Sequence, residues 1–261
     1  GEPEPWVHVL PIPDAFRGGQ RDFAAEAARQ IDEDGPIAGL MIETMLSCAG
    51  QVPLPAGYLS SVAERVRAAG GLYIADEVQV GFGRVGSNMW AFEEHGVVPD
   101  MVVLGKPMGN GHPMGAVITT PEIAASFGEM EFFSTFGGNP VSCEIGMAVL
   151  DVIEQEGLIQ RADALGERFL SGLRELQRRH EVIGDARGRG LFLGFELVRD
   201  RATLEPAAAE ASALVDAMRE NGVLLSTDGP LHNVIKIKPP MVLSEDDIDE
   251  TLSKFDHFLP G

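Results

Sequence analysis

Positive charge is scarce in this chain. Its 20 lysines and arginines face 40 acidic residues, a formal net charge of −20. It therefore lacks the basic footprint that nucleic-acid phosphates or an anionic membrane would need, and neither is expected as a partner. The acidic excess is spread along the chain and reads as a device for solubility. Cysteine is scarcer still. Cys48 and Cys143 are the only two, too few for a disulfide framework, which points to a reducing, cytoplasmic setting and to both thiols as packed small side chains. No apolar run is long enough to span a bilayer. The opening GEPEPWVHVL has neither a basic head nor an apolar signal core. It also lacks an initiating Met, so the chain reads as beginning partway through a longer protein. His8, His95, His112 and His180 are scattered without ligand spacing, and no metal site is expected.

What is present is enough for a large core. The 261 residues, 44% of them hydrophobic, fit one or two domains. Residues 1–20, rich in Pro and Gly, read as an extended leading segment. Helical patterns follow at 22–32, 58–69, from Pro121, 141–156, 158–180, 207–221 and 245–258. Leu165, Phe169, Leu173 and Leu176 mark the apolar stripe of the longest. Strand patterns lie at 36–43, 72–76, 101–105, 116–120, 190–198, 223–226 and 233–238, and residues 44–55 read as loop. Gly70-Gly71 stops one helix, Pro121 opens another and Ser244 caps the last. Short apolar strands alternating with helices predict an α/β fold with a mostly parallel sheet and crossover helices. Residues 1–154 read as a large domain and 155–261 as a smaller α/β unit.

The chemistry concentrates between Leu72 and Gly115. LYIAD ends an apolar run in Asp76, and MVVLGK ends another in Lys106. Ligands bind at the carboxyl ends of strands in such sheets, so acid and amine are expected in one crevice. Gly81, Gly83 and Gly86 spell G-x-G-x-x-G, but DEVQV separates them from the strand and the next strand ends in lysine. That rules out a dinucleotide fingerprint; a turn letting backbone pass close to a ligand is expected instead. Gly105-Lys106 is no phosphate loop either, since Pro107 follows the lysine.

Alone, Lys106 could be a solvated surface lysine and Asp76 a salt-bridge partner or a cap. The stiff PMGNGHP loop after Lys106 argues for a fixed amine, which partial burial would free to form a Schiff base. His112 in that loop reads as structural. An Asp that keeps a pyridine nitrogen protonated, opposite a Schiff-base lysine, is the pairing that pyridoxal phosphate needs.

IADEVQVGFGRVG, VLGKPMGNGHPMGAV, FSTFGGNPVSCEIGMAVLDVIEQEGL and DARGRGLFLGFELV, taken in order, resemble the class III aminotransferases, which are fold-type I pyridoxal-phosphate enzymes. The likeness is collinear from PDAFRGG (13–19) to the C-terminus. GKPMGNGHP, LLSTDGP and VIKIKPPM are most similar to the branch of ethanolamine-phosphate and phosphohydroxylysine phospho-lyases. The resemblance implies the C-terminal part of a fold-type I large domain, mostly parallel sheet with helices, followed by a small α/β domain. It implies that Lys106 carries the cofactor in Schiff-base linkage and shuttles the Cα proton, and that Asp76 pairs with the pyridine nitrogen. Val78 would pack under the ring, Gln79 would bond its phenolic oxygen, and Glu43 would support the network. Thr135 would reach the cofactor phosphate of a neighbouring subunit, so a homodimer is implied. Arg187 would grip a substrate carboxylate by a bidentate fork.

Two departures qualify the likeness. Glu43-Thr44 followed by Cys48 replaces the Glu-Pro and second Glu of many transaminases, which puts their dual-substrate switch in doubt. The family's N-terminal segment, with its phosphate-cradling helix start and ring-stacking aromatic, has no counterpart. Cofactor binding by this stretch alone is therefore expected to be weak. Three functions are expected in turn: a phospho-lyase acting on a phosphorylated primary amine such as phosphoethanolamine, a transaminase using an ω-amine or amino acid and an oxo-acid, and a truncated non-catalytic module.

Overall fold

The computed structural model describes residues 3–260. Two residues of the expected extended leader, Gly1 and Glu2, lie outside that range. In chain order the elements are α1 (Ala15–Gly18), α2 (Phe23–Asp34), β1 (Gly39–Glu43), β2 (Met45–Leu46), β3 (Val52–Pro53), α3 (Tyr58–Ala68), β4 (Leu72–Asp76), β5 (Met101–Leu104), β6 (Ala116–Thr119), α4 (Pro121–Gly128) and α5 (Pro140–Gln155). They continue with α6 (Leu158–Arg179), β7 (Ile183–Arg189), β8 (Phe192–Asp200), β9 (Glu205–Pro206), α7 (Ala208–Glu220), β10 (Ser226–Asp228), β11 (Val234–Ile237) and α8 (Glu245–Phe258).

The chain divides into two compact units. Residues 1–44, 54–79 and 92–151 form the first; 45–53, 80–91 and 152–261 form the second. A linear reading counts 45–53 and 80–91 with the leading 154 residues, but both segments pack with the trailing unit.

The first unit is built on a sheet of order β1-β4-β5-β6, in which β1, β4 and β5 run parallel and β6 is antiparallel at the edge. Helix α3 explains the crossover. Its buried Tyr58, Leu59, Val62, Ala63 and Val66 form one stripe at helical spacing. The chain then turns through Gly70 in a left-handed conformation, φ +87°, straight into β4. Thr120 caps α4 by accepting from the Ile123 amide at 3.4 Å, with Pro121 in the first turn.

The second unit is an antiparallel sheet, β10-β11-β8-β7, with β9 added to β8. Its core joins Phe169, Leu173 and Leu176 of α6 to Phe195, Leu197, Ile235 and Ile237 of the strands and to Ile248 and Phe255 of α8. Phe195 and Phe255 meet edge to face at 5.0 Å. Ser244 and Asp247 close α8 with a reciprocal capping box.

Several local expectations change. Residues 44–55 were expected as loop, yet β2 and β3 form a small antiparallel pair there. Strand β7 was not expected, because IGDARGR has no apolar alternation; it exists because β8 beside it supplies the ladder. Of the 223–226 run only Ser226 enters a strand, and Leu224 is 83% exposed. Cys48 and Cys143, expected as packed, are both exposed, one in a turn and one on α5.

The glycine-rich segment is the clearest correction. A Cβ on Gly83 would lie 2.5 Å from Ile159, and one on Gly86 would lie 2.6 Å from the Asp163 backbone. These glycines let the chain pass close to α6, not to a ligand. Arg84 between them donates to the carbonyls of Leu191 and Pro239 at 3.1 and 2.8 Å, and burial lowers its guanidinium pKa.

Two predictions follow from this packing. Gly86→Ala combines a left-handed φ of +83° with a backbone clash, and is expected to cost about 2–5 kcal/mol. Gly222→Ala, at φ +84° with nothing within 4 Å, should cost only about 1–2 kcal/mol; denaturant unfolding compares the two. The chain's two tyrosines, Tyr58 and Tyr73, are both buried. Burial pushes Tyr58 up to about 12, and burial with the nearby Glu77 charge raises Tyr73 too. Unfolded phenols titrate near about 10, so the unfolded state loses protons first. Stability that is full below that pH should fall as pH rises towards the folded values. Ultraviolet phenolate absorbance is expected to appear only together with alkaline unfolding.

Candidate active site

Strands β1, β4 and β5 end almost level. The register pairs Glu43 with Asp76 and Asp76 with Val103, so the two acids occupy neighbouring C-terminal positions about 4.8 Å apart across the ladder. Lys106 lies two positions past Leu104, the last residue of β5. All three are delivered to the strand edge at which parallel sheets bind ligands.

The backbone at Lys106 is strained. Its φ is +26°, unfavourable for any residue with a Cβ and worse ahead of a proline. Such a conformation costs on the order of 1–3 kcal/mol and survives only where the surroundings impose it. Here the Met108 amide donates to the Gly105 carbonyl at 2.9 Å and the Asn110 amide to Pro107 at 3.0 Å. Asn110 then closes the turn at φ +44°. The Lys106 side chain is exposed and, among the described residues, has no hydrogen-bond or ion-pair partner. Beside it, the methyls of Val78 lie 3.4 and 3.6 Å from where a Gly105 Cβ would be, an ordinary van der Waals distance.

Asp76 Oδ1 accepts from the Val78 amide at 3.0 Å, which leaves Oδ2 without a hydrogen-bond partner among the described residues. Glu77 faces the other way, as alternation along an extended chain requires. It is fully buried, and its Oε1 accepts from Thr44 Oγ1 at 2.8 Å and from the Phe92 amide at 2.9 Å. His95 Nε2 lies 3.1 Å from the Thr44 carbonyl. Sequence reasoning passed over Glu77, Thr44 and His95. The signal was the second acid of the Asp-Glu pair, which has to point into the protein if the first points out.

Glu43 and Gln79 are half-buried at the same strand edge. Thr135 lies in the first unit on an exposed loop. Asn139 fastens the end of that loop to α5 by accepting from the Ser142 amide at 2.9 Å and donating to the Phe136 carbonyl at 2.8 Å. Arg187 belongs to the second unit, and its three nitrogens are engaged there. Nε and Nη2 donate to the Gly50 carbonyl at 3.0 and 2.8 Å, Nη2 to Glu196 at 2.8 Å and Nη1 to Asp185 at 3.0 Å. A substrate carboxylate would have to displace one of these partners. Among the described residues no cluster of three or more His, Cys, Asp or Glu side chains is placed to hold a metal ion.

An amine and a carboxylate at neighbouring strand ends, with an aliphatic side chain near the amine, form a donor set that fits pyridoxal phosphate. Comparison with known proteins bears on it directly. A family profile described as aminotransferase class-III matches residues 2–259. The chain belongs to the class III aminotransferase family. This class III chain is 48% identical, over 98% of its length, to a Drosophila melanogaster protein named alanine–glyoxylate aminotransferase 2-like, of which it covers 56%. It is 43% identical over 97% of its length to ethanolamine-phosphate phospho-lyase homolog 1 of Caenorhabditis elegans, of which it covers 60%. Among solved structures, an Arthrobacter phospholyase in complex with phosphoethanolamine superposes with a TM-score of 0.91 at 41% identity, over 97% of this chain and 63% of that one. The chain thus spans little more than half the length of the curated relatives it matches. Its mixed α/β architecture is that of the fold-type I aminotransferases.

Arg187→Ala gives a direct test of the arginine's place. Glu196 is 1% exposed, and stripping a buried carboxylate of its guanidinium costs about 3–5 kcal/mol. The variant is expected to lose thermal stability, with Arg187→Lys intermediate; a rise in KM at unchanged melting temperature would return the residue to substrate binding.

Proposed function

We propose that this class III chain carries the lysine-bearing part of a pyridoxal-phosphate enzyme that removes phosphate from a phosphorylated primary amine, phosphoethanolamine being the first candidate. The observation that supports it most is the placement of Asp76 at the end of β4, with Lys106 two positions past the end of neighbouring β5, held in strained backbone and, among the described residues, without a hydrogen-bond or ion-pair partner. The phospho-lyase names of two relatives support the choice of reaction. When bound, the cofactor supplies an electron sink for the pair released at the substrate Cα.

The chain's own residues supply the rest. Lys106 would hold the cofactor and move the substrate Cα proton; its exposure leaves it room for both tasks. Asp76 Oδ2 would serve the ring nitrogen and favour its protonated form, while Oδ1 accepts from the Val78 amide. Val78 provides the apolar floor, Gln79 a donor for the phenolic oxygen, and Glu43 a second acid beside Asp76. Thr135 would serve the cofactor phosphate of a second subunit. The surface around it favours such a homodimer: Phe132, Phe133, Phe136 and Val141 are 69%, 83%, 82% and 68% exposed, a cluster typical of surfaces that another protein covers. We keep Arg187 outside substrate recognition because its donors are already engaged. The scarcity of cysteine supports a cytoplasmic location, and no helix among the described residues is long and apolar enough to cross a membrane.

Transamination is the second reading, favoured by the aminotransferase name of the Drosophila relative. The two reactions share Cα deprotonation by Lys106 and part only in where the electron pair goes next. Phosphoethanolamine with no oxo-acid present separates them in the full-length protein. Free phosphate and ammonia are expected, and a strict requirement for an oxo-acid acceptor would establish transamination instead. Lys106→Ala should lower turnover by at least about 10²–10⁴-fold, the range for a positioned proton-transfer group.

A further inference from the structure

The loop that follows Lys106 is braced against α5 at two points one helical turn apart. His112 Nε2 lies 2.8 Å from Ser142 Oγ. The Met114 methyl comes within 3.0 Å of where a Cβ on Gly146 would be. Positions 142 and 146 share one face of a helix, so the loop runs along that face. Within the loop the His112 amide donates to the Gly109 carbonyl at 2.9 Å, which joins the imidazole to the turn begun by Lys106.

Ser142 is also where the other loop is fastened. Its amide donates to Asn139 Oδ1 at 2.9 Å and its hydroxyl accepts from Asn139 Nδ2 at 2.9 Å, while Nδ2 also holds the Phe136 carbonyl. One hydroxyl is therefore shared by the turn that carries Lys106 and the loop that carries Thr135. With Asn139 occupying one lone pair, Ser142 Oγ keeps a proton and a second lone pair, so it pairs with the imidazole in either tautomer. Steric packing by Met114 alone would let the lysine turn slide along the helix; a directional bond at Ser142 fixes its register.

We propose that His112 is a positioning residue, whose bond to Ser142 makes the Lys106 turn and the Thr135 loop one bracket and so fixes the lysine turn relative to the loop that would serve a second subunit's cofactor phosphate. This rests on the reading of Lys106 as the cofactor lysine. The bracket itself is a property of the protein without cofactor.

Amide hydrogen exchange on the cofactor-free protein tests it. His112→Phe keeps the ring shape without the bond, His112→Gln keeps a polar atom at similar reach, and Ser142→Ala removes the partner. Exchange in residues 106–115 and 134–140 is expected to rise together, about five- to tenfold, in the Phe and Ala variants, as for one lost hydrogen bond. The double variant should add nothing further, and the Gln variant should restore protection. A rise confined to 106–115, or single-variant effects that add in the double, would overturn the bracket. In the full-length enzyme, the yield of borohydride-trapped pyridoxal phosphate on Lys106 should fall in the Phe and Ala variants and recover with Gln. Equal trapping in all variants would likewise count against His112. A wild-type protein that shows the coupled exchange but traps no cofactor at Lys106 would defeat the functional reading while supporting the bracket.

Discussion

Three parallel strands that stop almost level with one another hold the chemistry of this chain together. In a parallel ladder the register decides which side chains become neighbours, and a slip of one residue would send every side chain to the opposite face. Here the register sets Glu43 beside Asp76 and brings Lys106 just beyond the next strand. The apolar interior of β4 and the buried stripe of α3 support it, because a one-residue slip would take Tyr73 and Ala75 out of the buried face. Glu77 locks the same strand end from behind by taking donors from Thr44, which follows β1, and from Phe92.

The site needs two opposed properties, a fixed backbone and a mobile amine, and the structure separates them by atom. The main chain at Lys106 is held in an unfavourable conformation by turn hydrogen bonds and by the brace against α5. The side chain beyond it has no hydrogen-bond or ion-pair partner among the described residues. Strain of this sort is tolerated where rigidity of the support outweighs its cost. In the second unit unusual geometry serves packing and pairing. Gly83, Gly86 and the buried Arg187 cluster spend their unusual geometry on close packing and internal pairing.

That contrast explains which parts of the sequence could be read directly. The strand-end positions of Asp76 and Lys106 were legible because each ends an apolar run. The helices were legible through their periodicity, α6 above all. The glycine-rich segment misled, because a run of glycines looks alike whether it awaits a ligand or fits against the protein's own backbone. Strand β7 and the short pair β2–β3 left no local trace at all, since polar and glycine-rich residues become strand only when a partner presents its edge. Glu77 and His112 were visible as residues, but their partners are distant in sequence: Thr44 lies 33 positions from Glu77 and Ser142 lies 30 from His112.

By itself the sequence determined the α/β class, the family and the placement of an acid and an amine at two strand ends, because these depend on local period, on motif order and on where an apolar run meets a charged residue. Tertiary structure alone decided that segments 45–53 and 80–91 join the trailing unit, that the guanidinium of Arg187 is consumed internally, and that one serine hydroxyl serves two loops. Each of those outcomes is a contact between residues far apart along the chain. Its energy depends on burial and geometry that no local window contains.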